Sequence, residues 1–197
     1  KWPVLMRCLQ DDPSPLIRAS AADVLGGYLN DATLMPLLKA TQDPYRLVRV
    51  RAAATLAVVP DRLVPAACRA ALAKAGEEYK AAMTARPDIA ESHYNLGNFY
   101  QNQGQFKKAV EAYETSWRLR EAFVPAYVNA SMAYNALGRN EQAAASLKKA
   151  IRHDPNSAAA HLNLALLYGE MDRYAEARAA FRKTFRLDPT SAAAAYN

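Results

Sequence analysis

The sequence is poor in the residues that build metal and redox sites. Its 197 residues include two cysteines, Cys8 and Cys68, and three histidines. No CxxC, CxxCH or Cys/His cluster occurs, which excludes a zinc finger and covalent haem attachment within this sequence. No nucleophile, base and orienting group follow a catalytic pattern. The sequence therefore predicts neither an enzyme nor a bound cofactor, and we expect both cysteines to be free thiols.

Long apolar runs are also absent. Hydrophobic residues make up 51% of the chain, but many are alanines, and Arg or Lys interrupts the apolar stretches. No run reaches the roughly 18 uncharged apolar residues of a transmembrane helix, so no membrane span is predicted. The sequence begins Lys1-Trp2-Pro3 without a signal-peptide pattern and ends within a helical pattern. We therefore expect a segment of a longer protein, whose targeting signal would lie outside it.

Charge of one sign is not concentrated in any stretch. The net charge is +6, yet acidic and basic residues are mixed along both halves, whereas nucleic-acid binders usually carry a basic stripe or tail. In the second half, basic residues fall mostly on the second helix of each repeat described below: Lys107, Lys108, Lys148, Lys149, Arg178 and Arg182. We therefore expect no nucleic-acid partner.

A pattern that recurs at one fixed spacing organises the second half of the chain. Its copies span 90–123, 124–157 and 158–191, and residues 192–197 would begin a further helix. Position 8 of each copy is small, because two helices must approach closely there: Gly97, Ser131 and Ala165. Position 4 of each copy holds a residue with a ring: His93, Tyr127 and His161. The spacing predicts three helix–turn–helix hairpins with a shared core.

A different pattern occurs upstream. Asp12-Pro13 is followed by Arg18, and the next copy places Asp43-Pro44 and Arg49 at the same separation. An Ala-Ala pair and a leucine complete each copy. This Asp-Pro pattern predicts a helix that begins after each Asp-Pro turn.

These two patterns resemble known repeat families. The pattern over 90–191 resembles the tetratricopeptide repeat (TPR), and the Asp-Pro pattern resembles the HEAT-like repeat, in which the Asp and Arg form a salt-bridge ladder between neighbouring turns. The resemblance implies an all-α, right-handed α–α superhelix: HEAT-like repeats over 1–60, a hybrid hairpin over 61–89 and three TPRs over 90–191. No flexible linker separates the parts, so we expect one continuous solenoid.

Two phrases, residues 11–19 and 90–100, also resemble the C-terminal, non-haem part of some bacterial multihaem c-type cytochromes. That resemblance implies a structural tail of a periplasmic electron-transfer protein, with a haem domain outside this sequence. The other hypothesis is a protein-interaction scaffold, for which the compartment would be cytoplasmic. The upstream sequence discriminates between them, because several CxxCH motifs there would indicate the cytochrome.

The predicted binding surface is the concave face formed by the first helices of the TPR hairpins. Position 6 is asparagine in every copy: Asn95, Asn129, Asn163 and, in the truncated fourth copy, Asn197. A side-chain amide offers both a donor and an acceptor to a peptide group. The column therefore predicts a clamp on the main chain of an extended peptide. The alternative is that these asparagines brace the neighbouring hairpin.

The other positions of the groove indicate what kind of peptide it would hold. Chaperone-binding TPRs place Lys and Arg in this groove to hold a terminal carboxylate, and this sequence lacks them. We therefore predict a protein or extended-peptide partner that is mostly uncharged. The residues predicted to line the groove are Tyr94, Asn95, Asn98, Asn102, Val128, Asn129, Met132, Asn135, Leu162, Asn163 and Leu166.

Overall fold

The computed structural model describes residues 2–190, and every regular element in that range is helical. The predicted all-α class is confirmed. The first five helices are α1 (Trp2–Asp11), α2 (Pro15–Leu25), α3 (Asp31–Ala40), α4 (Arg46–Leu56) and α5 (Ala66–Thr84). The next six are α6 (Ala90–Asn102), α7 (Phe106–Leu119), α8 (Val124–Ala136), α9 (Asn140–His153), α10 (Ala158–Glu170) and α11 (Tyr174–Leu187).

The chain forms two compact units, Lys1–Arg86 and Pro87–Asn197, which we call the N-terminal and the C-terminal unit. Short 3₁₀ turns at Gly26–Tyr28 and Asp61–Leu63 connect helices of the N-terminal unit. Among the described residues, no helix has the length and apolar character that crossing a membrane requires. The further helix predicted at 192–197, and Asn197 with it, lies outside the described residues.

The core of the N-terminal unit is built from equivalent positions of the Asp-Pro pattern. Ala22 and Ala53 are buried, as are Leu25 and Leu56 one turn further on. These small and branched side chains let α2 and α4 pack closely against each other. Cys8 and Cys68 are free thiols, and both pack against this core. The prediction of unpaired cysteines is therefore confirmed.

The predicted ladder of charges is formed in the N-terminal unit. Arg18 Nε donates to Asp43 Oδ2 at 2.7 Å and its Nη2 donates to Asp43 Oδ1 at 3.0 Å. Arg18 Nη1 also donates to the carbonyl oxygen of Asp12 at 2.6 Å. Both side chains of the ion pair are only 10% exposed. This rung therefore ties one Asp-Pro turn to the next through a bidentate pair with little access to water.

The second rung repeats the first with a different acid. Arg49 Nε and Nη2 donate to the two carboxylate oxygens of Glu78 at 2.8 and 3.0 Å, and Arg49 Nη1 donates to the Asp43 carbonyl oxygen at 2.9 Å. Sequence reasoning missed Glu78, because Lys74 stands where the next aspartate of the pattern would fall, and the pattern ends there. The acid comes instead from α5, one helical turn further along the chain.

Protonation of the ladder carboxylates should destabilise the N-terminal unit. Burial raises the pKa of Asp43, but hydrogen bonds from Arg18 and from the Tyr45 N–H outweigh it and hold the pKa below its ordinary 3.8. The hydrogen bond from Arg49 holds the pKa of Glu78 below 4.5. A carboxyl whose pKa is lowered by folding stabilises the fold above its unfolded pKa, and that contribution is lost as the pH falls through the folded value. The melting temperature should therefore fall as the pH drops below about 4.5.

The control for this prediction is the double variant Arg18→Gln, Arg49→Gln. It removes the cations that lower the two carboxyl pKa values, so its melting temperature should depend less on pH in the same window. Circular dichroism melts from about pH 6 to about pH 2.5 measure both proteins. Equal pH dependence in the two would contradict a stabilising ladder.

One prediction for this unit is wrong. Residues 61–89 do not fold into a hybrid hairpin, because α5 is a single helix of 19 residues. Alanine is the strongest helix former, and α5 is rich in alanine and contains no proline that would end it. Tyr79 of α5 is buried, and burial raises its pKa to about 12.

The C-terminal unit consists of the three predicted hairpins. The first helices α6, α8 and α10 have 13 residues each, and the second helices α7, α9 and α11 have 14 residues each. Each hairpin turns through an equivalent residue with positive φ: Gly104 and Gly138 at 70° and Asp172 at 59°. Within each hairpin the two helices pack against each other, and α7 and α9 also pack against the first helix of the next hairpin.

The small residues at position 8 lie where the sequence predicted a close helix approach. A Cβ atom added to Gly97 would lie 2.5 Å from Cε1 and 2.6 Å from Cδ1 of Tyr113. The Tyr113 ring comes from α7 and has no exposed surface. Ser131 and Ala165, at the equivalent positions of the next copies, are also buried. The first hairpin therefore has no room for a side chain at this point.

Candidate functional site

The candidate site lies on the first helices of the three hairpins. Helix α8 contacts both α6 and α10, so residues at equivalent positions of the three helices form rows across them. Position 5 of the rows holds Tyr94, Val128 and Leu162, and all three are half-buried. All eleven residues predicted to line the groove are on these helices.

A hydrogen-bonded cluster joins the first two hairpins at this surface. Asn129 Nδ2 donates to Asn98 Oδ1 at 2.8 Å and to the Tyr94 hydroxyl at 3.1 Å. The Tyr113 hydroxyl donates to Asn98 Oδ1 at 2.8 Å and lies 3.3 Å from Gln101 Oε1. Three of the predicted residues are thus brought together. We call Tyr94, Asn98, Tyr113 and Asn129 the amide cluster.

Aromatic rings hold the amide cluster in place. The Tyr94 ring packs edge-on against Phe123, with centroids 5.2 Å apart, and its centroid lies 5.9 Å from that of the Tyr113 ring. Burial of Tyr113 raises its pKa well above the ordinary value of 10. The hydroxyl therefore stays protonated at neutral pH and can donate to Asn98. The cluster is a fixed arrangement rather than a set of free surface side chains.

Apolar side chains lie beside the cluster. Met132 and Leu166 occupy position 9 of the second and third copies and are 50% and 46% exposed. Val128 packs against the core of the unit and remains partly exposed. These residues give the surface next to Asn129 an apolar character.

The remaining amides of the predicted set differ from one another. Asn135 Nδ2 donates to Glu170 Oε2 at 2.7 Å, which links the second hairpin to the third. Asn95 and Asn102 are exposed, and Asn163 is half-buried. The column is therefore not uniform, because Asn129 braces a neighbouring hairpin while Asn95 lies at the surface. A peptide-binding role for all of these residues stays a prediction.

Sequence reasoning missed two residues of this surface, Tyr113 and Glu170. Tyr113 carries a hydroxyl, whereas the equivalent residues Leu147 and Phe181 do not. A buried tyrosine hydroxyl usually has a hydrogen-bond partner, and that difference between copies was the available signal. The sequence gave no signal for Glu170, because its contact with Asn135 depends on how the second and third hairpins pack together.

Two of the three histidines, His93 and His161, contact main-chain oxygens. His93 Nε2 lies 2.9 Å from the Pro87 carbonyl oxygen, and His161 Nε2 lies 3.1 Å from the Pro155 carbonyl oxygen. These equivalent contacts tie the first helix of the hairpin to the residues that precede it in the first and third copies. Within residues 2–190, no group of three or more His, Cys, Asp or Glu side chains is arranged to hold a metal ion.

Most basic residues of the C-terminal unit lie on the second helices, as predicted. Lys107 and Lys108 are on α7, Lys148 and Lys149 are on α9, and Arg178 and Arg182 are on α11; all six are exposed. The surface formed by α6, α8 and α10 is therefore not the basic one.

The C-terminal unit thus consists of one kind of helical hairpin, repeated three times at a fixed spacing. Models of the tetratricopeptide repeat match residues 90–116 and 158–191, and a TPR repeat model matches 132–172. The hairpins of the C-terminal unit are therefore tetratricopeptide repeats.

Several solved structures resemble the chain. The TPR domain of Arabidopsis OM64 is 28% identical, with a TM-score of 0.51, over 53% of this chain and 87% of that domain. The crystal structure of MamA is 17% identical, with a TM-score of 0.58, over 85% of this chain and 96% of MamA. The first TPR of Spaghetti (RPAP3), bound to the HSP90 peptide SRMEEVD, is 18% identical, with a TM-score of 0.50, over 52% and 82%.

At 17% and 18% identity, the likenesses to MamA and to Spaghetti show the fold alone. No curated protein sequence matches the chain.

Proposed function

We propose that the C-terminal unit is a protein-interaction module whose groove of α6, α8 and α10 binds an extended, mostly uncharged peptide of a partner protein. The observation that carries the proposal is the amide cluster beside exposed apolar side chains. Tetratricopeptide repeats between residues 90 and 191 support an interaction module.

The polar part of the groove supports main-chain recognition. Asn129 uses both N–H groups of its amide on Asn98 and Tyr94, so its Oδ1 remains an acceptor for a peptide N–H. Asn98 accepts two hydrogen bonds at Oδ1, and its Nδ2 remains a donor for a peptide carbonyl. A donor and an acceptor on adjacent helices match the two polar atoms of a peptide group.

The apolar part of the groove can contribute free energy to peptide binding. Met132 and Leu166 are exposed at equivalent positions of α8 and α10, and covering apolar surface contributes about 25 cal/mol per Å². Methionine is unbranched and adapts to irregular partner surfaces. Apolar side chains of a bound peptide can therefore pack next to the cluster that holds its main chain.

The uncharged side chains at positions 5 and 9 of the groove support an uncharged peptide as the ligand. Spaghetti, which has the same fold, is seen with the peptide SRMEEVD, which contains two glutamates. In this chain, position 5 holds Tyr94, Val128 and Leu162, and position 9 holds Asn98, Met132 and Leu166. These rows offer no cation to an acidic peptide, so a neutral sequence is the better partner.

The test is selection of peptides from a random phage-displayed library on the full chain, followed by Kd measurement with the selected peptides. We expect peptides of low charge. The double variant Met132→Glu, Leu166→Glu should raise their Kd at least about tenfold, because an apolar peptide would then have to desolvate two carboxylates. Both positions are half exposed, so the fold should be retained.

The matched control places the same charges on the second helices. Ala145 and Ala179 are exposed on α9 and α11, and the double variant Ala145→Glu, Ala179→Glu should bind the selected peptides as tightly as the unmodified chain. The proposal fails if the groove variant binds normally, or if the selected peptides all require an acidic C-terminus.

The HEAT-like interpretation and the cytochrome interpretation of the sequence remain proposals. The two-rung ladder of Arg18 and Arg49 supports the HEAT-like interpretation of residues 1–60. Kinship with multihaem cytochromes has no support in the fold, and CxxCH motifs in the full-length gene would be the evidence for it.

A further inference from the structure

Helix α4 presents one face to α2 in the N-terminal unit. Thr55 Oγ1 donates to the Ala22 carbonyl oxygen of α2 at 3.1 Å, and Arg51 Nη1 lies 3.0 Å from Asp23 Oδ2 of α2. Val48 lies about one turn before Arg51 on the same side of α4, and it is completely buried. Through this face, one helix of the Asp-Pro pattern packs on the helix of the preceding copy.

Helix α2 has the equivalent face, but that face is uncovered. The residues at the corresponding positions of α2 are Ile17, Ser20 and Val24. Ile17 and Val24 are 46% and 50% exposed, and Ser20 is exposed as well. Val48, the counterpart of Ile17, has no exposed surface. The side of α2 that corresponds to a helix contact of α4 is therefore open to solvent.

An acid lies at the start of this open side. Asp12 Oδ1 accepts from the Ser14 N–H at 2.8 Å, and Asp43 Oδ1 accepts from the Tyr45 N–H at 2.8 Å in the same way. Asp43 also receives Nε and Nη2 of Arg18 from the preceding helix. Within the described residues, the half-buried Asp12 carboxylate forms no ion pair. Asp12 is thus held by its turn as Asp43 is, but without an arginine.

We propose that the open face of α2 docks a helical hairpin of a partner, built on the same Asp-Pro pattern, whose arginine pairs with Asp12. The open face consists of Asp12, Ile17, Ser20 and Val24. Arginine fits better than lysine, because a guanidinium can donate to both oxygens of one carboxylate, as Arg18 does to Asp43. The partner helix also needs small residues, since a Cβ atom added to Gly26 would lie 3.0 Å from Thr55 Cγ2, where α2 and α4 meet.

A second copy of this chain does not meet these requirements. The two arginines of the pattern, Arg18 and Arg49, are already paired with Asp43 and Glu78. The helices that carry them already pack against α4 and α5. The hairpin that docks on the open face is therefore supplied from outside this sequence.

The test supplies such a hairpin to the full chain. A copy of residues 2–30 is joined to the N-terminus through a Gly-Ser linker, which keeps its local concentration high. The copy carries Ile17→Leu, so that only the original Ile17 is observed. NMR with a soluble gadolinium chelate then measures how exposed the Ile17 δ1 methyl group is. We expect the relaxation enhancement at Ile17 to fall when the copy is attached, while that at Ile151 of α9 stays unchanged.

Two variants of the extended chain test the ion pair. Asp12→Asn in the original chain keeps an oxygen for the Ser14 N–H and removes the charge, and Arg18→Gln in the copy removes the cation. Each should shift the docking equilibrium toward the open state about tenfold, the effect of losing a charge-assisted hydrogen bond. Because both act on one pair, the two changes together should do no more than either alone. The control is Asp11→Asn, at an exposed acid that ends α1, which should leave docking unchanged.

Two results would overturn the inference. If Ile17 is equally exposed with and without the added hairpin, the open face is not a docking surface. If Asp12→Asn leaves Ile17 as protected as before, the hairpin is not held by an arginine on Asp12. Neither result bears on peptide binding by the groove of the C-terminal unit, which is tested separately.

Discussion

Replacing Gly97 by valine is expected to destabilise the C-terminal unit by roughly 3 kcal/mol, the upper range for overpacking a well-packed core. The new Cβ would lie 2.5 Å from Tyr113 Cε1, well inside van der Waals contact. The Tyr113 ring is fully buried and cannot turn away. The helices α6 and α7 must therefore separate. Chemical denaturation of the full chain, followed by tyrosine and tryptophan fluorescence, measures the loss.

Two further variants show whether the effect comes from this contact. A Cβ added to Gly169 in α10 meets nothing within 4 Å, so Gly169→Ala should stabilise the helix by about 0.5–1 kcal/mol. The double variant Gly97→Ser, Tyr113→Leu reproduces the residue pair that the second repeat has at Ser131 and Leu147. It should be more stable than Gly97→Ser alone. If valine at position 97 left stability unchanged, the close approach of the helices would be wrong.

Replacing Asp43 by alanine is expected to lower the free energy of unfolding of the N-terminal unit by about 2–3 kcal/mol. The change removes the acceptor of the bidentate pair with Arg18 and of the Tyr45 N–H. It also leaves the guanidinium without its anion. Breaking a fully buried pair costs about 3–5 kcal/mol, and the lower value here allows for residual contact with water.

The matched control is Asp23→Ala in the same unit. Asp23 Oδ2 lies 3.0 Å from Arg51 Nη1, but the two side chains are 42% and 52% exposed. An exposed pair contributes about 0–1 kcal/mol, so this change should have a small effect on urea unfolding. Equal losses for Asp43→Ala and Asp23→Ala would show that burial of the ladder does not matter.

Repeats made most of the fold predictable. Where a pattern recurred, as in Asp12 to Arg18 and Asp43 to Arg49, the sequence indicated both the helix and its charge contact. Where it stopped, at Lys74, the prediction stopped being useful: α5 runs through the expected turn, and Glu78 completes the ladder from an unexpected position. A single helix rich in alanine satisfies its own backbone hydrogen bonds and leaves no local sign of where a hairpin should turn.

The sequence predicted the surface on which the candidate site lies, but not the hydrogen bonds within the site. The register assigned Tyr94, Asn98 and Asn129 to the same surface, and they do meet there. It did not indicate that Asn129 would direct both N–H groups to the neighbouring hairpin. Nor did it indicate that Tyr113 would reach Asn98. Equivalent positions share a backbone location, but the hydrogen bonds of each side chain depend on residues that differ between copies.

The ladder of the N-terminal unit also has a mechanical consequence. The first rung joins α2 to the turn before α4, and the second joins α4 to α5, so both pairs bear part of a load applied along the row of α2, α4 and α5. The second rung is the more exposed, with side chains 21% and 19% accessible against 10% for both partners of the first. Water can compete more easily for that rung, so we expect the Arg49–Glu78 pair to open before the Arg18–Asp43 pair when this unit is pulled along the row.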